Sequence, residues 1–275
     1  MPFDWISFTT DYGLDDGFVA ACEGVIGRIC PAARVLHVTH TVAPQHVRRG
    51  AAVLAQTVPY LPESVHLAVV DPGVGTARRP IALATAMGLL VGPDNGLLVP
   101  AAEALGGIRT AHELRAEEFR LSTVSATFHG RDVFAPAAAY LARGVPIDEL
   151  GPALDPATLV RFPDPATIAE RGRITTEVLG VDTFGNIQLA ADGSHVDTAG
   201  ARRGTAVLVH LGGRTVSATL GGTFGDVEDG QAVVYLDSSG RLAIAVNGGS
   251  ASGEYGGEPG EQVVLLFEAS AATRR

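Results

Sequence analysis

The sequence predicts an α/β fold in its first half, with a largely parallel, Rossmann-like sheet between layers of helix, and a small all-β unit in its second half. Three observations carry this. Apolar strand-like runs alternate with helix-like stretches as far as Arg143, and short loops join them in the order strand, helix, strand, helix, strand. Five prolines then fall between Gly144 and Arg171, at positions 146, 152, 156, 163 and 165, a texture that disfavours regular structure and marks a linker. Beyond it, seven short apolar runs are separated by Gly-rich turns, the pattern of a small β-barrel or sandwich. The expected division is an α/β domain over 1–145, a linker over 146–172 and a β domain over 173–270.

Taken in order, Trp5 to Thr9 form a short apolar strand that leaves Asp11 at its carboxyl end. Asp15 or Asp16 is placed to cap a helix from Gly17 to Ile29, which Pro31 stops. The opening has no G-x-G-x-x-G and no Walker lysine, so no dinucleotide or P-loop site is expected. Asp11 suits a ribose, whose two adjacent hydroxyls a carboxylate can accept, and it equally suits a turn. Arg34 to Val38 read as a second strand and Gln45 to Thr57 as a second helix. His37, His40 and His46 invite a metal, but strand alternation puts His37 and His40 on opposite faces.

Strands follow at Val65–Val70, Ile81–Thr85 and Leu89–Val91, then a helix at Leu97–Leu105, a strand near Ala111–Leu121 and a helix at Asp132–Arg143. Asp71-Pro72-Gly73 ends the third strand abruptly and leaves a carboxylate where open α/β sheets hold their ligands. Arg78 lies seven residues on, within reach of Asp71 if the Gly-rich loop folds back, and His129 arrives from a second loop. An acid, a guanidinium and an imidazole can thus converge on one crevice, although the same residues suit an ordinary turn and a surface ion pair.

The second half reads as strands at Arg173–Val181, Asn186–Leu189, Ala206–His210, Arg214–Leu220, Ala232–Leu236, Leu242–Val246 and Gln262–Phe267, with Ala271–Arg275 as a frayed tail. Within it, Val181–Asn186 offers Phe184 to stack on a flat ring and Asn186 to read its polar edge. Asp237–Asn247 offers hydroxyls on a turn and an amide at a strand end, and both stretches also suit plain hairpin turns.

Composition narrows the function. Of 275 residues, 46% are hydrophobic and 18% charged, which fits a packed globular protein rather than a disordered one. A formal charge of −10 argues against a general nucleic-acid binder. The two cysteines, Cys22 and Cys30, lie about two helical turns apart, too far to bridge along one helix, so reduced thiols and a cytoplasmic location are expected. The amino terminus lacks the basic region and apolar run of a signal peptide, and no stretch approaches a membrane span.

Six blocks in register, T-D-Y-G-L-D-D-G, V-V-D-P-G-V-G-T-A-R-R, G-P-D-N-G-L, F-H-G-R-D-V-F-A-P, D-T-F-G-N and S-S-G-R-L-A-I-A-V-N, resemble the S-adenosyl-L-methionine (SAM) hydrolase family, also called SAM hydroxide adenosyltransferase, which is related to the fluorinase and chlorinase enzymes. The likeness runs from about Ile6 to Phe267, nearly the whole chain. It implies an amino-terminal α/β domain, a carboxy-terminal β-barrel, and a homotrimer with each site between one subunit's α/β domain and its neighbour's barrel. It also implies cleavage of SAM by water into adenosine and L-methionine, with neither metal nor cofactor.

Position by position, the resemblance makes Asp71, Arg78 and His129 the set that holds and activates the water, and Asp11 the ribose ligand. Phe184 and Asn186 fall where adenine is held, Val246 and Asn247 on the strand whose backbone meets the same ring, and Asp182 and Ser238 at the methionine end. At Ser239, halogenating relatives can carry an arginine for the amino acid's carboxylate. Those relatives also place an uncharged tyrosine where this chain has Asp71, and a carboxylate there would repel a halide by several kcal/mol at an effective dielectric of about 20. Gly130 lacks the hydroxyl with which the fluorinase binds fluoride. The alternatives are a chlorinase-like halogenase, a non-catalytic SAM or adenosine sensor, and a metal-dependent hydrolase with Asp11, Asp71, Asp94 and His129 as ligands.

Overall fold

The computed structural model describes residues 2–268. The expected tail at 271–275 and the last two positions assigned to the β domain lie outside the described residues. By contacts the chain divides into two units, between Phe162 and Pro163.

The first unit runs β1 (Trp5–Thr10), α1 (Phe18–Ile29), β2 (Arg34–Thr39), α2 (Val47–Thr57), β3 (Ser64–Val69), β4 (Pro80–Ala84), β5 (Gly88–Pro93), α3 (Val99–Ala104), β6 (Thr110–Glu113), α4 (Ala135–Ala142) and β7 (Ala153–Leu154). Its seven-stranded sheet has the order β2-β1-β3-β5-β4-β6-β7. Pairing is parallel from β2 through β5 and antiparallel from β5 to β7. Every residue of β3 is buried, as a central strand covered on both faces requires.

Alternation along the strands explains the two covers. Ile6, Phe8, Val65 and Leu67 face one core with α1 and α4, whereas Ala68 and Val70 face another with α2 and α3. Each Leu buried there, such as Leu54 or Leu141, contributes roughly 1.5–3 kcal/mol of transfer free energy. The chain thus leaves β1 over one face to reach β2 and returns over the other face to lay β3 on the opposite side of β1. The strand order reverses at that point, which opens a crevice at the carboxyl ends of β1 and β3.

Several local expectations are corrected. Gly17, not Asp15 or Asp16, occupies the position before α1, and no side chain caps that helix. The strand expected over Ala111–Leu121 ends at Glu113, because the Leu114 N–H turns to the Pro80 carbonyl and Glu117–Phe119 form a short 3-10 turn. The Pro-rich stretch is not without regular structure: β7 pairs with β6 at the sheet edge, and Pro156–Thr158 form another turn.

The second unit contains β8 (Ile168–Glu170), β9 (Arg173–Val181), β10 (Ile187–Asp192), α5 (Gly193–Ala199), β11 (Ala206–Leu211), β12 (Arg214–Leu220), β13 (Ala232–Leu236), β14 (Arg241–Val246), α6 (Ala251–Tyr255) and β15 (Gln262–Phe267). The order β10-β14-β13-β12-β11-β15-β9 closes on itself because β9 also pairs with β10, giving a seven-stranded barrel with β8 added on the outside of β9. Ile174, Val178, Val209, Val234, Ile244 and Leu265 alternate inward to fill it. Between β10 and β11, where a Gly-rich turn is expected, the chain forms α5 instead, because the Asp192 carboxylate accepts the Ser194 N–H at 3.0 Å and caps a helix.

Among the described residues no helix is long and apolar enough to cross a membrane, and Cys22 and Cys30 are buried free thiols.

Candidate active site

The ends of β1 and β3 fix the site. Thr10 pairs with Val69, so Asp11, directly after β1, and Asp71, two residues after β3, emerge side by side at the switch point. The Gly-rich loop then folds back: Arg78 Nε donates to Asp71 Oδ1 at 3.1 Å and Arg78 Nη2 to Asp71 Oδ2. Both side chains are nearly buried, at 7% and 5% exposure. A bidentate pair so deep gives back much of its Coulomb energy as desolvation, so its main effect is to lock the orientation of the carboxylate. The Phe134 ring, 5.1 Å below the guanidinium carbon, holds the other face of the fork.

Gly75 makes the fold-back possible. Its φ of +77° favours glycine, and an added Cβ would stand 2.5 Å from the Ala126 carbonyl oxygen. This contact seats the Gly-rich loop against the loop that carries His129. That second loop is pinned by Asp132, whose wholly buried carboxylate accepts the Ser125 N–H at 2.8 Å and pairs with Arg131 at 2.6 Å. Its own carbonyl accepts the Leu121 N–H. The expected helix from Asp132 begins earlier, as a π-helical turn at Gly130–Phe134 that runs into α4.

His129 Nδ1 lies 3.2 Å from Arg78 Nη2. Burial, and then the Arg78 charge, press the imidazole below its ordinary pKa, and Asp71 offsets only part of this. The ring is therefore neutral at neutral pH. A guanidinium N–H can only donate, so Nδ1 accepts and the ring proton resides on Nε2. Arg78 Nη1 is buried and has no hydrogen-bond partner among the described residues.

A cleft of about 210 Å³ opens over these groups, lined among others by Asp11, Tyr12, Gln45, Asp71, His129 and Gly130. Gln45 is held at φ 68°, unusual for a residue with a side chain, and its N–H donates to Asp11 Oδ2 at 2.9 Å. Tyr12, which the sequence reading passed over, lies against Gly130, and burial raises its phenol pKa.

His37 and His40, expected on opposite faces of their strand, meet side chain to side chain. The register slips between Phe8 and Thr9, so His40, just past β2, swings back and its Nε2 lies 2.7 Å from His37 Nδ1. Thr10 Oγ1 meets His40 Nδ1 at 2.8 Å, whereas His46 is exposed at the start of α2. Among the described residues no group of three or more His, Cys, Asp or Glu is placed to hold a metal. Asp94 in particular is bound to Arg79 at 2.5 Å and accepts the Val160 N–H, away from the residues that line the cleft.

In the second unit, the Asp182 carboxylate organises the hairpin between β9 and β10. It accepts the N–H of Phe184 and of Asn186, both at 2.9 Å, and Asn186 Nδ2 at 2.8 Å. This leaves Phe184 79% exposed at the tip and Asn186 buried. Val246 is buried at the end of β14, and the Asn247 N–H donates to Gln231 O at 3.0 Å. Ser238 is exposed on the β13–β14 turn, whereas Ser239 is tied to Asp237 at 2.7 Å.

These features define a class: an α/β domain and a small β-barrel on one chain, with an acid–guanidinium–imidazole cleft at the switch point of the α/β sheet. Within that class, the model of the SAM hydroxide adenosyltransferase N-terminal domain matches residues 6–151, and that of the C-terminal domain residues 176–264. The chain belongs to this family. It is 58% identical to an (R)-S-adenosyl-L-methionine hydrolase of Salinispora tropica, over 95% of this chain and 97% of that one. It is 30% identical to a fluorinase of an Actinoplanes species, over 88% of this chain and 90% of that one. A crystal structure of an uncharacterized conserved protein from Thermotoga maritima superposes with a TM-score of 0.88 at 35% identity, over 95% of this chain and 99% of that one.

Proposed function

We propose that this protein is an (R)-S-adenosyl-L-methionine hydrolase that releases adenosine and L-methionine. The observation that carries the reading is the locked Asp71–Arg78–His129 cluster beside Asp11 in one cleft. The sulfonium of SAM already makes methionine a good neutral leaving group, so the protein has only to align and partly desolvate a water behind the ribose C5′. Water oxygen bonds to C5′, the C5′–S bond breaks with its electron pair passing to sulfur, and the water proton goes to a base.

Asp71 is that base. Both ring nitrogens of His129 are spoken for, Nδ1 by Arg78 and Nε2 by its own proton, so the imidazole orients the water or substrate as a donor. Asp11 takes the ribose hydroxyls, as its place at the end of β1 suits. For the remainder of SAM we assign Phe184, Asn186, Val246 and Asn247 to adenine, and Asp182 and Ser238 to the methionine end. The exposed Phe184 ring and the buried Asn186 amide support this assignment.

The cleft of about 210 Å³ is smaller than the roughly 300–1,000 Å³ of complete small-molecule sites. The family resemblance implies a homotrimer in which a neighbour's barrel completes each cleft, and the small volume supports that reading. Buried free thiols fit a reducing cytoplasm. Incubation with SAM, with and without chloride, followed by chromatography of adenosine and 5′-chloroadenosine, tests the activity. Adenosine formed at equal rates in both supports it; absence of adenosine, or a chloride-dependent product, overturns it.

A further inference from the structure

Tyr12 has no place in the assignment above, yet it is built into the cleft. A Cβ placed on Gly130 would run into the Tyr12 hydroxyl and stand only 3.0 Å from Cζ and 3.3 Å from Cε2. The phenol thus fills the space that a side chain at position 130 would take, at the start of the π-helical turn that follows His129. The ring cannot easily move aside. It packs edge-on against Phe18 and Phe128, with centroids 6.0 and 5.8 Å away. Its backbone N–H is tied to Thr10 Oγ1 at 3.2 Å, and the next N–H, of Gly13, to the His40 carbonyl at 2.8 Å. Tyr12 lines the same cleft as Asp71 and His129, close enough that the charges of Asp71 and Arg78 are felt at its hydroxyl.

We infer that Tyr12 is a positioning and specificity-determining residue: its hydroxyl, held against the bare Gly130, closes one side of the nucleophile's seat so that a water molecule fits beside Asp71 and a larger neutral nucleophile does not. The inference rests on the hydrolase reading. Gly130 and Tyr12 then act as one unit, since a side chain at either position takes the volume of the other. With the phenol removed, a small alcohol enters the seat. Its oxygen bonds to C5′, the C5′–S electron pair passes to sulfur, and its hydroxyl proton goes to Asp71.

The test is product partition with SAM in buffer containing methanol, resolving adenosine from 5′-O-methyladenosine, for the parent protein, Tyr12→Leu, Tyr12→Phe, Gly130→Ser and Gly130→Ser/Tyr12→Leu. The parent forms adenosine alone, whereas Tyr12→Leu diverts roughly a tenth or more of turnover to the methyl ether, with kcat down roughly tenfold and KM nearly unchanged. Tyr12→Phe, which keeps the ring and drops only the hydroxyl, falls between the two. Gly130→Ser lowers kcat/KM roughly a hundredfold, and adding Tyr12→Leu restores roughly tenfold of it. Equal partition in parent and Tyr12→Leu, or additive losses in the double variant, overturns the inference while leaving hydrolysis intact. A parent protein that forms no adenosine instead overturns the hydrolase reading itself. Thermal melting of each variant identifies any that fail to fold, and Tyr12→Phe, the mildest change, then carries the partition test.

Discussion

At position 129 one hydrogen bond decides a chemical role. Arg78 Nη2 facing His129 Nδ1 leaves the imidazole without a free lone pair, which is why the proposed mechanism gives the proton to Asp71. Asp71→Asn keeps the size of the side chain but removes the proposed base and one of the two acceptors that face Arg78. Its kcat is expected to fall roughly 10²–10⁴-fold with little change in KM, whereas His129→Gln costs roughly tenfold. Steady-state kinetics on both variants checks the ranking, and a larger loss at His129 would reverse the roles. The pH profile carries a sign. His129 is depressed below 6.5, so its neutral form, and with it activity, persists from neutrality down past pH 6.5. The acid limb lies lower, where protonation sets Nδ1–H against Arg78. In His129→Gln that limb is absent from the log kcat/KM profile. Asp71, Arg78 and His129 were visible in the sequence as residue types beside turn glycines, but Tyr12 was not: an aromatic after an aspartate in a loop carries no signal until Gly130, far along the chain, is seen against its ring.

At the scale of elements, a turn and a loop hold the chemistry rather than a helix or strand. The buried Asp132 carboxylate ties Ser125 and Arg131 together and sets the path of the loop that ends at His129. Asp132→Ala is expected to free residues 121–129, speeding amide exchange there and lowering kcat, while exchange in β1 and β3 is unchanged. Uniform exchange across the unit would contradict this anchoring role. Gly75→Ala is expected to act on the same loop from the other side through the Ala126 carbonyl, with loss of activity exceeding loss of melting temperature. The strands were legible because β1, β3 and the barrel strands are apolar runs or strict alternations bounded by turns. Illegible were α5 and β7, where a side-chain cap and pairing with a distant strand, not local periodicity, fix the backbone.

For the molecule as a whole, the interior histidines couple stability to pH. His66 lies buried in β3, with Nδ1 bonded to Ser7 Oγ at 2.8 Å and Nε2 without a partner among the described residues. Burial pushes its pKa down from 6.5 to about 4. Between those values the unfolded chain binds a proton that the folded one does not. This contribution is therefore complete above pH 6.5 and is lost as pH falls towards 4, to a total of about 3 kcal/mol. Denaturant melts across pH 7 to 4 are expected to show the decline, and His66→Gln to flatten it. An unchanged slope in that variant would assign the decline to other groups. Analytical ultracentrifugation is expected to give three times 28.3 kDa, the mass of the proposed trimer.

The sequence by itself determined the α/β-then-β layout, the carboxylates at the strand ends and the family, because periodicity, turn chemistry and motif order are all local or linear properties of the chain. Only the tertiary structure decided that the half of the sheet beyond β5 runs antiparallel and that the second unit closes as a barrel. It alone brought His37 beside His40 and Tyr12 against Gly130, and it alone set Arg78 against Nδ1 of His129, which leaves the ring proton on Nε2. These depend on through-space distances between residues far apart in the chain, set by packing density and strand register, which no stretch of sequence encodes by itself.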